Sequence, residues 1–172
     1  MQAECLRSTS LVEALLLQEV GMAEDAEHAR RAARAASALH GTLDLDGINP
    51  SYRATVALEL AGTLWRVGDT DGALEALADA ADLARELAPA VPFSSQSSPL
   101  YDRIAPDANP GRFGEAWAGH KEGQASDLVR AVREAVVAAV ADPAWGSLAD
   151  DERFRELAAS TATLVDGGQG AR

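Results

Sequence analysis

The chain has 172 residues, with 15 Lys+Arg against 27 Asp+Glu, a formal net charge of −12, 47% hydrophobic and 24% charged residues. That balance is globular rather than disordered, and the length suits one domain or one short helical array. The shortage of cations excludes a nucleic-acid grip, which needs clustered Lys and Arg, and no apolar run approaches the roughly 18 residues a membrane-spanning helix requires.

Alanine occurs 37 times and leucine 20 times, whereas Phe, Trp and Tyr together number eight. Alanine has the highest helix propensity and leucine follows closely, so the composition predicts an all-α chain. The single cysteine, Cys5, permits no intrachain disulfide. Together with Glu4 and Glu13 interrupting the first apolar stretch, this predicts a cytoplasmic protein without a secretory signal.

The first helix is expected over 3–20, with Leu6, Leu11, Ala14, Leu15 and Leu17 forming an apolar stripe. Gly21 ends it, and a second helix follows over 23–40. Acidic Glu24, Asp25 and Glu27 open that helix, where negative charge opposes the positive end of the dipole; Arg30, Arg31 and Arg34 follow. Residues 41–49 read as a connector. Asn49 and Pro50 resemble a cap and a first-turn proline for a third helix over 50–67, and Gly68 separates it from a fourth over 70–87. Residues 89–110 hold five of the seven prolines and four serines, which predicts a long irregular loop. Helices over 111–122 and 126–141 and a last helix over 148–163, capped by Ser147 or Asp150, complete a single domain spanning 1–164. A flexible tail follows at 165–172.

One spacing recurs three times. Ala14, Leu17, Gly21, Ala26, Arg30 and Ala33 are separated by 3, 4, 5, 4 and 3 residues, as are Ala61, Leu64, Gly68, Ala73, Leu77 and Ala80, and Ala116, Gly119, Gly123, Leu128, Val132 and Ala135. The pattern predicts helical hairpins: a glycine turns the chain, and small side chains let the two helices approach closely. These segments resemble tetratricopeptide repeats, most clearly over Leu60 to Leu87, where Gly68-Asp69 followed by Ala73-Leu74 is similar to that family's turn and second-helix start. The stretch Asp142 to Leu157 resembles the end piece that follows such repeats in many bacterial proteins. The family repeats about every 34 residues, whereas Gly21, Gly68 and Gly123 lie 47 and 55 residues apart.

The resemblance implies three antiparallel hairpins (units 3–40, 50–88 and 111–141) stacked as a short right-handed solenoid with a C-terminal capping helix. It also implies a protein-interaction module whose concave face binds a partner protein or peptide. Carried over by position, that face presents Leu11, Leu15, Gln18 and Glu19, then Leu58, Gly62, Trp65 and Arg66, then Phe113, Trp117, His120 and Lys121. Such a groove suits a peptide with an aromatic or aliphatic anchor and an acidic end. The same tryptophans, Trp65 and Trp117, also read as core fillers. Residues 41–90 carry nine acids against three arginines, a surface that either meets a basic partner segment or keeps the protein soluble.

Two alternatives stand beside the scaffold reading. One is a subunit of an obligate oligomer, a homodimer among them, using an exposed apolar side of the first helix. The other is a helical enzyme or small-ligand carrier with a pocket beneath the 89–110 loop, near Tyr101 and Trp117. The residues supply no catalytic constellation. His28 has carboxylates three and four positions before it, but His40 and His120 do not, so no di-metal helical site is expected. The turns at Asp44 to Gly47 and Asp69 to Gly72 lack the twelfth-position carboxylate of a calcium loop. No phosphate-cradling glycine loop or nucleophile elbow occurs. The expectation is a binding protein without metal or cofactor.

Overall fold

A computed structural model describes residues 2–43, 45–46, 49–88 and 114–166; at 2–7, 114–125 and 165–166 it describes the backbone alone. Among the described residues every regular element is helical: α1 (Gln2–Met22), α2 (Ala26–Thr42), α3 (Tyr52–Arg66), α4 (Thr70–Glu86), α5 (Gly114–Val140), a 3-10 segment (Pro143–Leu148) and α6 (Glu152–Asp166). The irregular loop expected at 89–110, with Tyr101, lies outside the described residues, as does Phe113.

Local chemistry accounts for the helix ends. The Asp25 carboxylate accepts a hydrogen bond from His28 N–H at 2.7 Å and starts α2, and Asp69 does the same for Gly72 N–H at 3.1 Å at the start of α4. Between α3 and α4 the chain reverses at Gly68, whose φ of +84° lies in the left-handed region open to glycine. Arginines close two C-termini. Arg66 donates to Gly21 O and Ala23 O at 2.7 and 2.9 Å beyond α1, and Arg133 donates to Ala84 O and Leu87 O at 3.1 and 3.2 Å at the end of α4.

Packing follows the alanines. Ala61 and Leu64 near the end of α3 share a core with Ala73, Ala76 and Leu77 near the start of α4, while Ala54 near the start of α3 meets Ala80, Ala81 and Ala84 further along α4. The two helices are therefore antiparallel. Small side chains let α4 bury two sides at once, one on α3 and the other on Val132, Val136 and Val140 of α5, with Leu164 of α6 closing the cluster. The first pair docks through Val20 of α1, Ala32, Ala33 and Ala36 of α2, and Tyr52 and Val56 of α3. At the far end Trp145 packs on Trp65 with ring centroids 4.8 Å apart, and its indole N–H donates to Ala139 O at 2.9 Å. Arg153 of α6 reaches Asp71 of α4 at 2.9 Å.

Several boundaries differ from expectation, the start of the last helix among them: it moves from 148 to Glu152, behind Asp151, whose carboxylate accepts from Arg153 N–H at 2.9 Å, rather than behind Ser147 or Asp150. Gly21 lies inside α1, and the reversal into α2 falls at 23–25. The start of α3 moves from Pro50 to Tyr52, because Asn49 O accepts from Tyr52 N–H at 3.1 Å and its side chain takes the Ser51 hydroxyl rather than capping the helix. The third hairpin does not turn at Gly123: α5 runs unbroken from Gly114 to Val140. Glycine lowers helix propensity by only about 1 kcal/mol, too little to break a helix whose later turns are anchored by Val129, Val132, Val136 and Val140. The chain reverses instead at the 3-10 segment, after which α6 packs back on α5.

Candidate functional site

An open cleft of about 580 Å³ lies between α2, α3 and α4. Its floor is α3, through Val56, Ala57 and Leu60, with Ala33 and Leu83 at the sides. One wall is α2, carrying Arg30, Arg34 and Ser37; the other is α4, carrying Asp79, Asp82 and Glu86. Arg53 lines the cleft from α3. The spacings explain the walls. Arg30 and Arg34 are four apart on α2, and Asp79, Asp82 and Glu86 are three and four apart on α4, so each set projects from one face of its helix.

Opposite charges face this cleft without an ion pair between Arg34 and the α4 acids among the described residues. Arg30 is held sideways by Asp69 at 2.6 Å, Asp82 is paired with Arg85 on its own helix, and Arg53 reaches Asp46 at 3.1 Å. The Arg53 Nε is buried and has no hydrogen-bond partner among the described residues. Partial burial raises the Asp79 carboxyl above its ordinary value, and the neighbouring charges of Asp82 and Glu75 push it further the same way. Asp79 thus sits beside like charges, of which Asp82 is already paired with Arg85.

Behind the cationic end lies a buried polar cluster. His40 is fully buried at the end of α2; Glu13 Oε1 of α1 lies 2.6 Å from its Nδ1, and Asp46 Oδ1 lies 2.9 Å from its Nε2. Ionised carboxylates only accept, so both contacts are satisfied when both ring nitrogens carry hydrogen. The Tyr52 ring stacks on the imidazole at 5.0 Å, and its hydroxyl donates to Glu13 O at 2.8 Å. Burial, with the Glu13 charge adding to it, pushes the Tyr52 phenol up to about 12. Asp46 joins this cluster to the cleft, because its second oxygen accepts from Arg53.

The positions expected to bind a partner are distributed differently. Leu11, Leu15 and Gln18 lie exposed on α1, with Gln18 donating to the Met22 sulfur at 3.3 Å. Leu58 and Trp65 are half-buried against core residues of the C-terminal half, Trp65 beside Trp145, and Arg66 is engaged in closing α1. At about 100° per residue, Leu58, Gly62, Trp65 and Arg66 centre on the side of α3 opposite Arg53, Val56, Ala57 and Leu60. The cleft therefore opens away from that set. Trp117, His120 and Lys121 lie on α5, their side chains outside the described residues, as is all of Phe113.

Sequence reasoning missed Arg34, Arg53, Leu60, Asp79, Asp82 and Glu86 as a group. The available signal was the four-residue arginine spacing on α2 beside the three-and-four acidic spacing on α4. No group of three or more His, Cys, Asp or Glu side chains able to hold a metal ion occurs among the described residues, and no described helix is long and apolar enough to cross a membrane. Compared with known proteins, the chain matches no family model, no characterised protein and no solved structure.

Proposed function

We propose that the chain is a short tetratricopeptide-like helical scaffold that docks a segment of a partner protein in the cleft between α2, α3 and α4. The α1/α2 and α3/α4 pairs act as two stacked hairpins, and α5 and α6 close the stack. The observation that carries this reading is the bipolar cleft: an apolar floor between an arginine wall and an acidic wall that do not neutralise each other.

The partner's chemistry follows from that arrangement. It presents aliphatic side chains to Val56, Leu60 and Leu83, acidic groups to Arg34, and basic groups to Asp79 and Glu86. Oppositely charged walls fix the direction in which the segment lies, since reversing it sets like charges against each other on both sides. A basic edge on the partner also relieves the crowding of Asp79 by Asp82 and Glu75.

Selection from a displayed library of peptides with randomised charges around an aliphatic core tests the proposal. Enrichment of peptides with acids on one edge and bases on the other, lost when Arg34 is changed to Glu, is expected. No enrichment, or enrichment indifferent to charge order, contradicts it. Arg34 is exposed and is assigned no ion-pair partner among the described residues, so the variant leaves the fold intact.

A further inference from the structure

The large apolar side chains left exposed among the described residues are Leu11, Val12, Leu15 and Met22, at 61%, 42%, 51% and 67% exposure, and all four lie on α1. The opposite side of that helix is firmly seated. Glu13 and Val20 are buried there, Leu16 and Leu17 pack on α2 and α3, and Glu13 is bound through its carboxylate to His40 and through its carbonyl to Tyr52. The helix is thus pinned at Glu13 directly behind its apolar outer stripe, so that stripe is presented on a fixed support.

The outer stripe has an ordered spacing. Ser8, Leu11, Leu15, Gln18 and Met22 follow one another at 3, 4, 3 and 4 residues, the spacing that keeps one seam of a helix facing a second helix. The first four are also symmetric about position 13: two polar residues flank two leucines, so the polar and apolar order is the same from either end. Set against itself in the opposite direction, the stripe brings Leu11 of one copy to Leu15 of the other and Ser8 to Gln18. Val12 then lies level with Ala14 of the second copy, and Glu19 lies level with Arg7 rather than with an acidic residue. The antiparallel arrangement also aligns the two helix dipoles favourably. A patch that is its own complement is the requirement of a two-fold interface.

We propose that α1 is a homodimerisation surface on which a second copy of this chain packs antiparallel, with the two-fold axis passing between Leu11 and Leu15. The seam from Ser8 to Met22 spans about 21 Å, which places the contact at the low end of specific interfaces, under about 1,200 Å² in total. The dimer is accordingly reversible. The cleft between α2, α3 and α4 is independent of this surface, so either proposal can fail without the other.

Sedimentation velocity between about 5 and about 500 µM, the range in which an interface of this size exchanges, tests it. The chain is expected to pass from monomer to dimer with concentration. Leu11→Glu and Leu15→Glu are each expected to weaken association at least tenfold while leaving the helical circular dichroism of the dilute monomer unchanged. A monomer throughout, or dimerisation indifferent to both substitutions, overturns the proposal. Orientation is read in a Cys5→Ser background by oxidative cross-linking. Leu11→Cys mixed with Leu15→Cys is expected to form a disulfide-linked heterodimer, and neither variant to cross-link to itself. Efficient self-linking of Leu11→Cys contradicts the antiparallel seam.

Discussion

His40 shows how a single side chain ties distant parts of the chain together. Its ring holds Glu13, which lies 27 residues earlier, and Asp46, six residues later, and it stacks on Tyr52. Removing the ring leaves the buried Glu13 carboxylate without its hydrogen-bond partner, which costs about 1–3 kcal/mol and more where the stranded group is charged, and the truncated side chain leaves a cavity. His40→Ala is therefore expected to lower the urea-unfolding free energy by about 3 kcal/mol or more. By contrast, Arg31→Ala breaks an exposed pair with Glu27 at 3.7 Å and is expected to change it by less than about 0.5 kcal/mol. Tyr52 makes a pH-dependent contribution. Its phenol is raised from 10.0 to about 12 in the folded chain, so the folded state holds that proton more tightly than the unfolded state. This contribution is complete below pH 10 and lost as pH climbs from 10 to 12. Denaturation midpoints are expected to fall over that window, and less steeply for Tyr52→Phe. None of this was legible beforehand: local spacing finds carboxylates three or four residues from a histidine, and the partners of His40 stand at 27 and six.

At the scale of elements, the alanine-rich composition and the Gly68 reversal made the α3/α4 hairpin readable, and the predicted contacts of Ala61 and Leu64 with Ala73 and Leu77 are present. The same glycine-centred spacing was ambiguous elsewhere, because glycine permits a reversal without compelling one. Gly68 has φ +84° and turns; Gly21 and Gly123 sit within helices. What distinguishes them is the neighbouring sequence: Asp69 caps a new helix immediately after Gly68, whereas among the described residues no side-chain cap of this kind follows Gly123 closely. Gly123→Ala tests the unbroken α5. Within a continuous helix the substitution is expected to raise stability by up to about 1 kcal/mol, seen as a higher thermal midpoint. A loss of stability instead indicates a reversal at that position. The end piece was legible as a break after 141 followed by a last helix, but the 3-10 turn in that break was not, since the Asp142 carboxylate starts it by accepting from Ala144 N–H.

At the scale of the molecule, the cleft arises where α2 and α4 flank the same face of α3. Its charge pattern is set by residues more than 40 positions apart, such as Arg34 and Asp79. The acid excess over 41–90 was visible in composition and read either as a surface for a basic partner segment or as a solvated face. The opposing arginines were visible only as a local feature of α2, and nothing in the linear pattern showed that the two would face one cleft. The reading of the chain as a scaffold rests on that bipolar geometry, and titration calorimetry tests it most directly. Two peptides are needed that share an aliphatic core, one with acids along the edge facing α2 and bases along the edge facing α4, the other with the edges exchanged. The chain is expected to prefer the first by at least about tenfold, about 1.4 kcal/mol, and the Arg34→Glu/Asp79→Arg double variant to invert that preference. Equal affinity of the chain for both peptides, or an unchanged preference in the double variant, would contradict the account.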